Sequence, residues 1–509
     1  MRLARPLALT ATLFFVPALQ ASAADADLKD PALRKRWEKS LKDFNIPGAV
    51  VVAVRGDQVL LVQPLGMRDL ENHKPVTPDT VFYIASCTKS FMATAVMSLV
   101  EEGKLELDAP VKKYLLRFEI ADANLTDSVT IRDLLCHRYG IDSDHITFAE
   151  AYSGLITDDM FYEQLKSAQA AGSFKYTNLH YTILGRVIQQ VTGMSWKDFL
   201  AERIFKAAKM TRTTAYASKM YGGLGDDDFA IPYDHNFDNP VPAPLRKTDR
   251  TMHAAGGLGA SGNDLARWLI LNINAGSIDG TRIISEADAH DMQRLYCPQR
   301  STRKILAQHV RLGYGLGWEI GELRGRKLVQ HNGGYIGAAA HISFMPDERV
   351  GVVVLANTDG PAGGWVDILA SEVYDAMLGD KAEQDVMAKF LKAIDEGPRK
   401  RPRPPQPRGE NPAIAKAGLS QPASAYVGQY THPTLGALTI SLTDGKLVLT
   451  YGEIKPQLVS TETNKFALTQ SGGTLKEGFF EVSPDGKVTG LRIIYSDEQE
   501  VRFVRGKSG

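Results

Sequence analysis

The chain is poor in cysteine: its 509 residues carry Cys87, Cys136 and Cys297 and no others. Three thiols cannot build a disulfide framework, and their odd number leaves at least one free. An excess of charge is also missing, since 59 lysines and arginines balance 59 aspartates and glutamates. No global field therefore draws the chain to nucleic acid or to an anionic membrane. Beyond the N-terminal segment, no stretch approaches the ~20 apolar residues that a membrane-spanning helix needs. The 11 histidines form no H-E-x-x-H and no Cys/His cluster, so no metal is expected. Asp226-Asp227-Asp228 reads as a solvated loop run rather than a calcium ligand set. Gly257 to Gly262 spells G-x-G-x-x-G, yet no buried strand precedes it within a βαβ unit, so no dinucleotide is expected. Ser261 or Asn263 caps the next helix instead. These absences leave a small-molecule or peptide substrate as the expected partner, with no cofactor and no legible oligomeric state.

What is present starts at the N-terminus. Arg2 and Arg5 precede the apolar run Pro6 to Leu19, and Ala21-Ser22-Ala23 offers small residues for cleavage after Ala23. That pattern predicts a signal peptide over 1–23 and a secreted or periplasmic protein. The remaining length allows two or three domains, and 44% hydrophobic content can fill their cores. Apolar periodicity predicts a helix over Ala32–Phe44, then a hairpin of Ala49–Val54 and Gln58–Val62 across Gly56-Asp57. Helical patterns follow from Ser86 to about Glu102 and over 131–137, 160–169, 179–191 and 264–274. Two strands, His341–Phe344 and Gly351–Ala356, precede a last helix over Asp367–Met377. Strands early, helices in the middle and strands late predict an α/β sandwich over 30–390, an antiparallel sheet flanked by helices with a helical subdomain. A proline- and arginine-rich linker is expected over 397–416. Short strands over 438–442, 446–451, 465–468, 478–482, 490–494 and 500–504 predict a small antiparallel β-barrel over 420–509.

Three sites carry chemistry. Ser86-Cys87-Thr88-Lys89 is an S-x-x-K tetrad where a strand-like run gives way to a helical period. Residues three apart share a helix face, so the Ser86 hydroxyl and the Lys89 amine come within reach. A serine hydroxyl is hard to deprotonate, and a lysine helps only when desolvation or a second cation lowers its pKa. Cys87 reads as a small buried residue rather than a second nucleophile. In Tyr176-Thr177-Asn178, alternation along an extended loop points Tyr176 and Asn178 into one cleft. A phenol beside two ammonium groups ionises more readily and can relay a proton. Asn178 is expected to hold Lys89, to bind a substrate carbonyl or to cap the following helix. In His331-Asn332-Gly333-Gly334, the glycines let a substrate backbone approach the sheet edge, and the Gly334 N–H completes an oxyanion hole with that of Ser86. His331 offers a hydrogen bond or a positive charge.

In this order and spacing the three sites resemble the serine β-lactamase and penicillin-binding protein superfamily, above all its class C β-lactamase, DD-peptidase and esterase branch. The likeness covers about Leu33 to Leu378, with H-x-G in place of the K-T-G of class C enzymes. It also takes in Thr130 to His137 and the pair of stretches Ala254–Leu258 and Asp264–Trp268. The resemblance implies an acyl-enzyme on Ser86, with Lys89 and Tyr176 moving protons. It gives Asn178, His331, Gly333 and Gly334 to substrate binding. It further implies hydrolysis of D-amino-acid amides or small esters, with a class C-like β-lactamase or a non-turnover penicillin sensor as alternatives. The C-terminal strands resemble the lipocalin-like domain appended to such hydrolases.

Overall fold

The computed structural model describes residues 28–506 except 236–238, 244, 303–307, 382–384, 397–417, 471–472 and 497–498. The expected signal peptide 1–23 and linker 397–416 lie outside the described residues.

Helix α1 (Pro31–Asp43) begins where Asp30 accepts the Ala32 N–H at 2.8 Å and Pro31 presets the first helical φ. Its buried side chains Leu33, Trp37 and Leu41 fall on one helical stripe. The hairpin β1 (Gly48–Arg55) and β2 (Gln58–Asp69) turns at Gly56, where φ is +53°. A short β3 (Lys74–Pro75) follows. The other six strands come from the far end of the domain: β4 (Cys297–Thr302), β5 (His309–Tyr314), β6 (Glu319–Leu323), β7 (Arg326–Tyr335), β8 (Ala338–Met345) and β9 (Val350–Ala356). Together they form one sheet in the order β4-β5-β6-β7-β8-β9-β1-β2-β3, with antiparallel neighbours throughout.

Both faces of this sheet are covered, which explains why β1 and β9 read as continuous apolar runs. Val50, Val52 and Val54 pack with Phe91, Met92 and Trp268 on one face. Ala49, Val51 and Ala53 pack with Trp37 and Trp365 on the other. The first face carries α2 (Thr88–Glu101), α3 (Ile131–Leu135), α4 (Asn178–Thr192) and α5 (Gly262–Ile273). The second carries α1 and α6 (Ala362–Leu378), with α7 (Val386–Glu396) behind them. Ser261 caps α5 by accepting the Asp264 N–H. The sandwich fold is as the sequence predicts, but four strands, β4 to β7, were invisible to it. They hold glycines, charges and His331-Asn332, and lack the β-branched alternation that marks a strand. Asp226 and Asp227 are solvent-exposed, as the sequence reading has them, and the run also pairs with Arg212, Lys74 and Arg68, with Asp228 the more covered of the three.

The last strands close into an eight-stranded antiparallel barrel: β10 (Gly428–His432), β11 (Gly436–Thr443), β12 (Lys446–Thr450), β13 (Gln457–Glu462), β14 (Lys465–Gln470), β15 (Gly473–Val482), β16 (Val488–Ser496) and β17 (Gln499–Arg505). Strands β10 and β13 were not foreseen. Tyr426, Tyr430, Leu438, Phe480, Leu491 and Phe503 fill the interior. The turn between β12 and β13 docks on the sandwich domain. There the Glu453 N–H donates to the Ser153 carbonyl at 3.0 Å, Arg250 pairs with the Glu453 carboxylate, and Tyr451 stacks on Phe148. A Cβ at Gly452 would lie 2.0 Å from that same Ser153 carbonyl oxygen, so only glycine allows the approach.

Candidate active site

Ser86 sits in a short 3-10 turn (Ala85–Cys87) that feeds directly into α2. Ala85 holds φ at +44°, a conformation that costs a non-glycine residue about 1 kcal/mol or more. Its surroundings hold it there. The Ile84 N–H donates to the Leu258 carbonyl at 2.9 Å and the Thr88 hydroxyl donates to the Ala85 carbonyl at 2.7 Å. From the other side β7 presses in: a Cβ on Gly333 would lie 2.1 Å from the Ile84 carbonyl oxygen. The glycine of H-x-G is thus a packing requirement of the serine turn. Gly334 has open space where its side chain would be, and it lies in strand β7.

Lys89 is wholly buried, and desolvation pushes its ammonium well below the usual lysine range. Its Nζ lies 2.8 Å from Asn178 Oδ1, 2.8 Å from the Ala255 carbonyl oxygen and 3.2 Å from Ser86 Oγ. Two of these neighbours can only accept. A neutral amine has two N–H donors and one lone pair; the two oxygens use the donors, and the lone pair faces the Ser86 hydroxyl. Burial, with no carboxylate partner among the described residues, favours the neutral base.

Tyr176 hydrogen-bonds Ser86, and its ring lies 4.6 Å from Lys89 Nζ. The expected ease of ionisation is overturned. Burial pushes the phenol above its ordinary value despite the Ser86 hydrogen bond, and among the described residues one lysine, Lys89, lies over its ring. Tyr176 therefore stands as a proton donor. Asn178 is the first residue of α4, and Thr177 caps that helix by accepting the Leu179 N–H at 3.1 Å. Freed from capping, the Asn178 side chain is available to Lys89.

His331 also departs from one of its expected roles. Burial and the nearby Lys89 lower its pKa to about 3, so it is neutral. Its Nε2 lies 2.8 Å from the Tyr314 hydroxyl and its Nδ1 2.7 Å from the Asn332 carbonyl oxygen. The hydrogen-bonding alternative stands and the positive charge does not. The Cys87 thiol, raised by burial, donates to the His331 carbonyl at 3.2 Å, which ties the serine turn to β7.

The fold brings together Ser86, Lys89, Tyr176, Asn178, His331 and the two glycines. It adds groups that sequence reasoning missed. The Ala255 carbonyl is a backbone acceptor and leaves no residue signal. Tyr314 and His137 surround Tyr176, with ring centroids at 6.1 and 4.5 Å. His137 reaches the site from a left-handed backbone at φ +60°. A second buried lysine, Lys247, lies near the same cleft wall. Its Nζ is 3.7 Å from the Tyr335 ring centroid and 5.6 Å from those of Tyr83 and Tyr152. It donates to the Ala151 carbonyl at 2.6 Å. Nothing in its local sequence marks it.

Comparison with known proteins agrees with this geometry. Residues 33–370 match the family model described as Beta-lactamase, and residues 412–505 match a domain of unknown function, DUF3471. Penicillin-binding protein 4 of Amycolatopsis lactamdurans is 28% identical over 370 residues, covering 69% of this chain and 89% of its own length. The unguisins hydrolase ungD' of Aspergillus campestris is 26% identical over 495 residues, 90% of this chain and 88% of that protein; the match therefore takes in at least part of the barrel. Among solved structures, an octameric penicillin-binding protein homologue from Pyrococcus abyssi superposes with a TM-score of 0.59 at 23% identity, covering 93% and 99% of the two chains. That last likeness concerns the fold.

Proposed function

The chain belongs to the beta-lactamase family of serine hydrolases, and on that premise we propose that it forms an acyl-enzyme on Ser86. The observation that carries this reading is the coordination of Lys89, which leaves one lone pair for the serine hydroxyl. Lys89 takes the Ser86 proton as Oγ attacks a carbonyl carbon. The resulting oxyanion lies between the N–H groups of Ser86 and Gly334. Tyr176, protonated beside Ser86, delivers a proton to the leaving group, and water then releases the acid. His331 holds Tyr314 and the strand edge in place, and Asn178 orients Lys89.

The substrate class follows from charge. A neutral His331 offers no cation to a substrate carboxylate, and the Arg311 guanidinium is already paired with Glu319 at 3.3 Å. This favours small esters and D-amino-acid amides over carboxylate-terminated D-Ala-D-Ala peptides and β-lactams. The test compares wild type with Ser86→Ala on p-nitrophenyl butyrate, D-alanine p-nitroanilide, a D-Ala-D-Ala peptide and nitrocefin. Equal rates for the two proteins on all four sink the reading. Turnover of nitrocefin above the other three reverses the substrate order.

A second reading rests on the likeness to a penicillin-binding protein: acylation without turnover. A stable Ser86 adduct with fluorescent penicillin, without product, selects it. We read the barrel as a lipocalin-like module whose filled interior serves packing. Export follows from the Arg2 to Ala23 pattern and is checked by the N-terminal residue of the protein recovered from a periplasmic fraction, expected to be Ala24.

A further inference from the structure

Cys136 and Cys297 are 161 residues apart in sequence, yet their Sγ atoms lie 3.5 Å apart. Both are buried free thiols. Cys136 ends α3; Cys297 opens β4, the edge strand of the sheet. A disulfide needs an S–S distance of about 2.05 Å, so the sulfurs close the gap by approaching about 1.5 Å, within reach of side-chain rotation. We propose that these two residues are a cross-linking site, oxidised to a disulfide in the folded protein by a small disulfide oxidant.

The surroundings supply the chemistry. The Arg138 guanidinium faces the pair, and its charge together with the Cys136 contact favours the Cys297 thiolate. Cys136 is pushed the other way by the contact and by burial. The charged groups around the two sulfurs are Arg138 from the segment after α3 and Asp133 from α3 itself; those two pair at 3.1 Å. Cys297 is the entry point, because it lies on the sheet edge and Cys136 is fully enclosed. The Cys297 thiolate attacks one sulfur of oxidised glutathione, forming a mixed disulfide and expelling one glutathione thiolate. Cys136 then attacks the Cys297 sulfur and expels the second. The two protein thiols lose two electrons and two protons; the protons go to the two glutathione thiolates.

The cross-link joins the supports of the active-site aromatics. Cys136 is followed by His137, whose ring lies 4.5 Å from Tyr176 and 4.8 Å from Tyr314. Cys297 is paired in the sheet with Tyr314 itself, and Tyr314 holds His331. A bond between the sulfurs therefore ties the strand behind Tyr314 to the segment that carries His137. Cys87 has no sulfur partner among the described residues and donates to a carbonyl, so it stays reduced and serves as the internal control.

The test treats the folded full chain with oxidised glutathione, quenches with acid, denatures, and alkylates what remains free. The expected product has lost the mass of two hydrogens, retains one alkylated thiol at Cys87, and yields a peptide pair linked through Cys136 and Cys297. Cys297→Ser is expected to lose the linked peptide, and Cys136→Ala does the same should the first variant fail to fold. Three alkylated thiols, a glutathione left on Cys297, or a link to Cys87 each overturn the proposal. None of these readouts depends on hydrolysis, so the outcome is independent of the activity proposed above.

Discussion

Two buried lysines near one cleft have been given different surroundings. Lys89 and Lys247 are both sealed from solvent, both pushed well below the ordinary lysine range by burial, and neither has a carboxylate partner among the described residues. Around Lys89 stand two carbonyl-type oxygens and a serine hydroxyl. Around Lys247 stand two backbone carbonyls, Ala151 and Thr251, and the faces of three tyrosines. Burial alone makes a lysine easy to deprotonate. It becomes a base only where the spare lone pair meets a proton worth taking, and that is the difference between the two regions.

The largest expected effect breaks the comparison at the tetrad. Lys89→Met lowers the rate of Ser86 phosphonylation by a fluorophosphonate, in which Oγ attacks phosphorus and fluoride leaves, by about 10³-fold, whereas Lys247→Met changes it by less than about tenfold, acting through Tyr335 and the strand that carries Gly334. Equal losses in the two variants would show that both lysines serve the same step. For wild type the phosphonylation rate rises with pH as Lys89 loses its proton, and the rise is complete below the ordinary lysine pKa of about 10.4. A flat profile over pH 6 to 10 would remove Lys89 as the base.

Tyr176→Phe comes next, with a loss of about 10²-fold in turnover of an amide substrate. Its effect on an ester with a good leaving group is expected to be smaller, because that leaving group needs no proton. Equal losses on amide and ester substrates would assign Tyr176 to serine activation instead.

The stability of the two regions separates at the next level. A lysine whose folded pKa is lowered binds its proton more weakly than in the unfolded chain. Its contribution is complete above the unfolded value of about 10.4 and is lost as pH falls through the window down to the folded value. Wild type minus Lys247→Met, measured by urea unfolding, should therefore grow by about 1.4 kcal/mol per pH unit as pH rises through that window. A pH-independent difference would mean that the tyrosine faces keep Lys247 charged.

The smallest effect concerns the barrel. Arg250 and Glu453 join its β12–β13 turn to the segment that carries Lys247, three residues before Arg250. The pair is largely exposed on the arginine side, so Arg250→Glu should cost about 0.2–1 kcal/mol of stability and shift KM more than kcat. Restoration by the charge-swapped double variant with Glu453→Arg would separate this contact from general damage.

The tetrad, Tyr176-x-Asn178 and His331-x-Gly333 were legible because each is a short local pattern. So were β1, β9, α1 and α4, whose apolar periods are strong. Strands β4 to β7 were not, because their residues are strand-like only by virtue of their neighbours. The ionisation of Tyr176 was misjudged and the choice between hydrogen bond and charge at His331 was left open for one reason: desolvation is a property of the packed site, and no local pattern reports it.

By itself the sequence determined which side chains are the candidates for the chemistry, the order in which they occur, and the presence of a sandwich followed by a barrel, since periodicity and short motifs encode those directly. Tertiary structure alone decided that Lys247 is buried among tyrosine faces, that the Ala255 carbonyl completes the coordination of Lys89, and that Cys136 and Cys297 face one another. Those depend on distances between segments far apart in the chain, which are set by how the two faces of one sheet are covered.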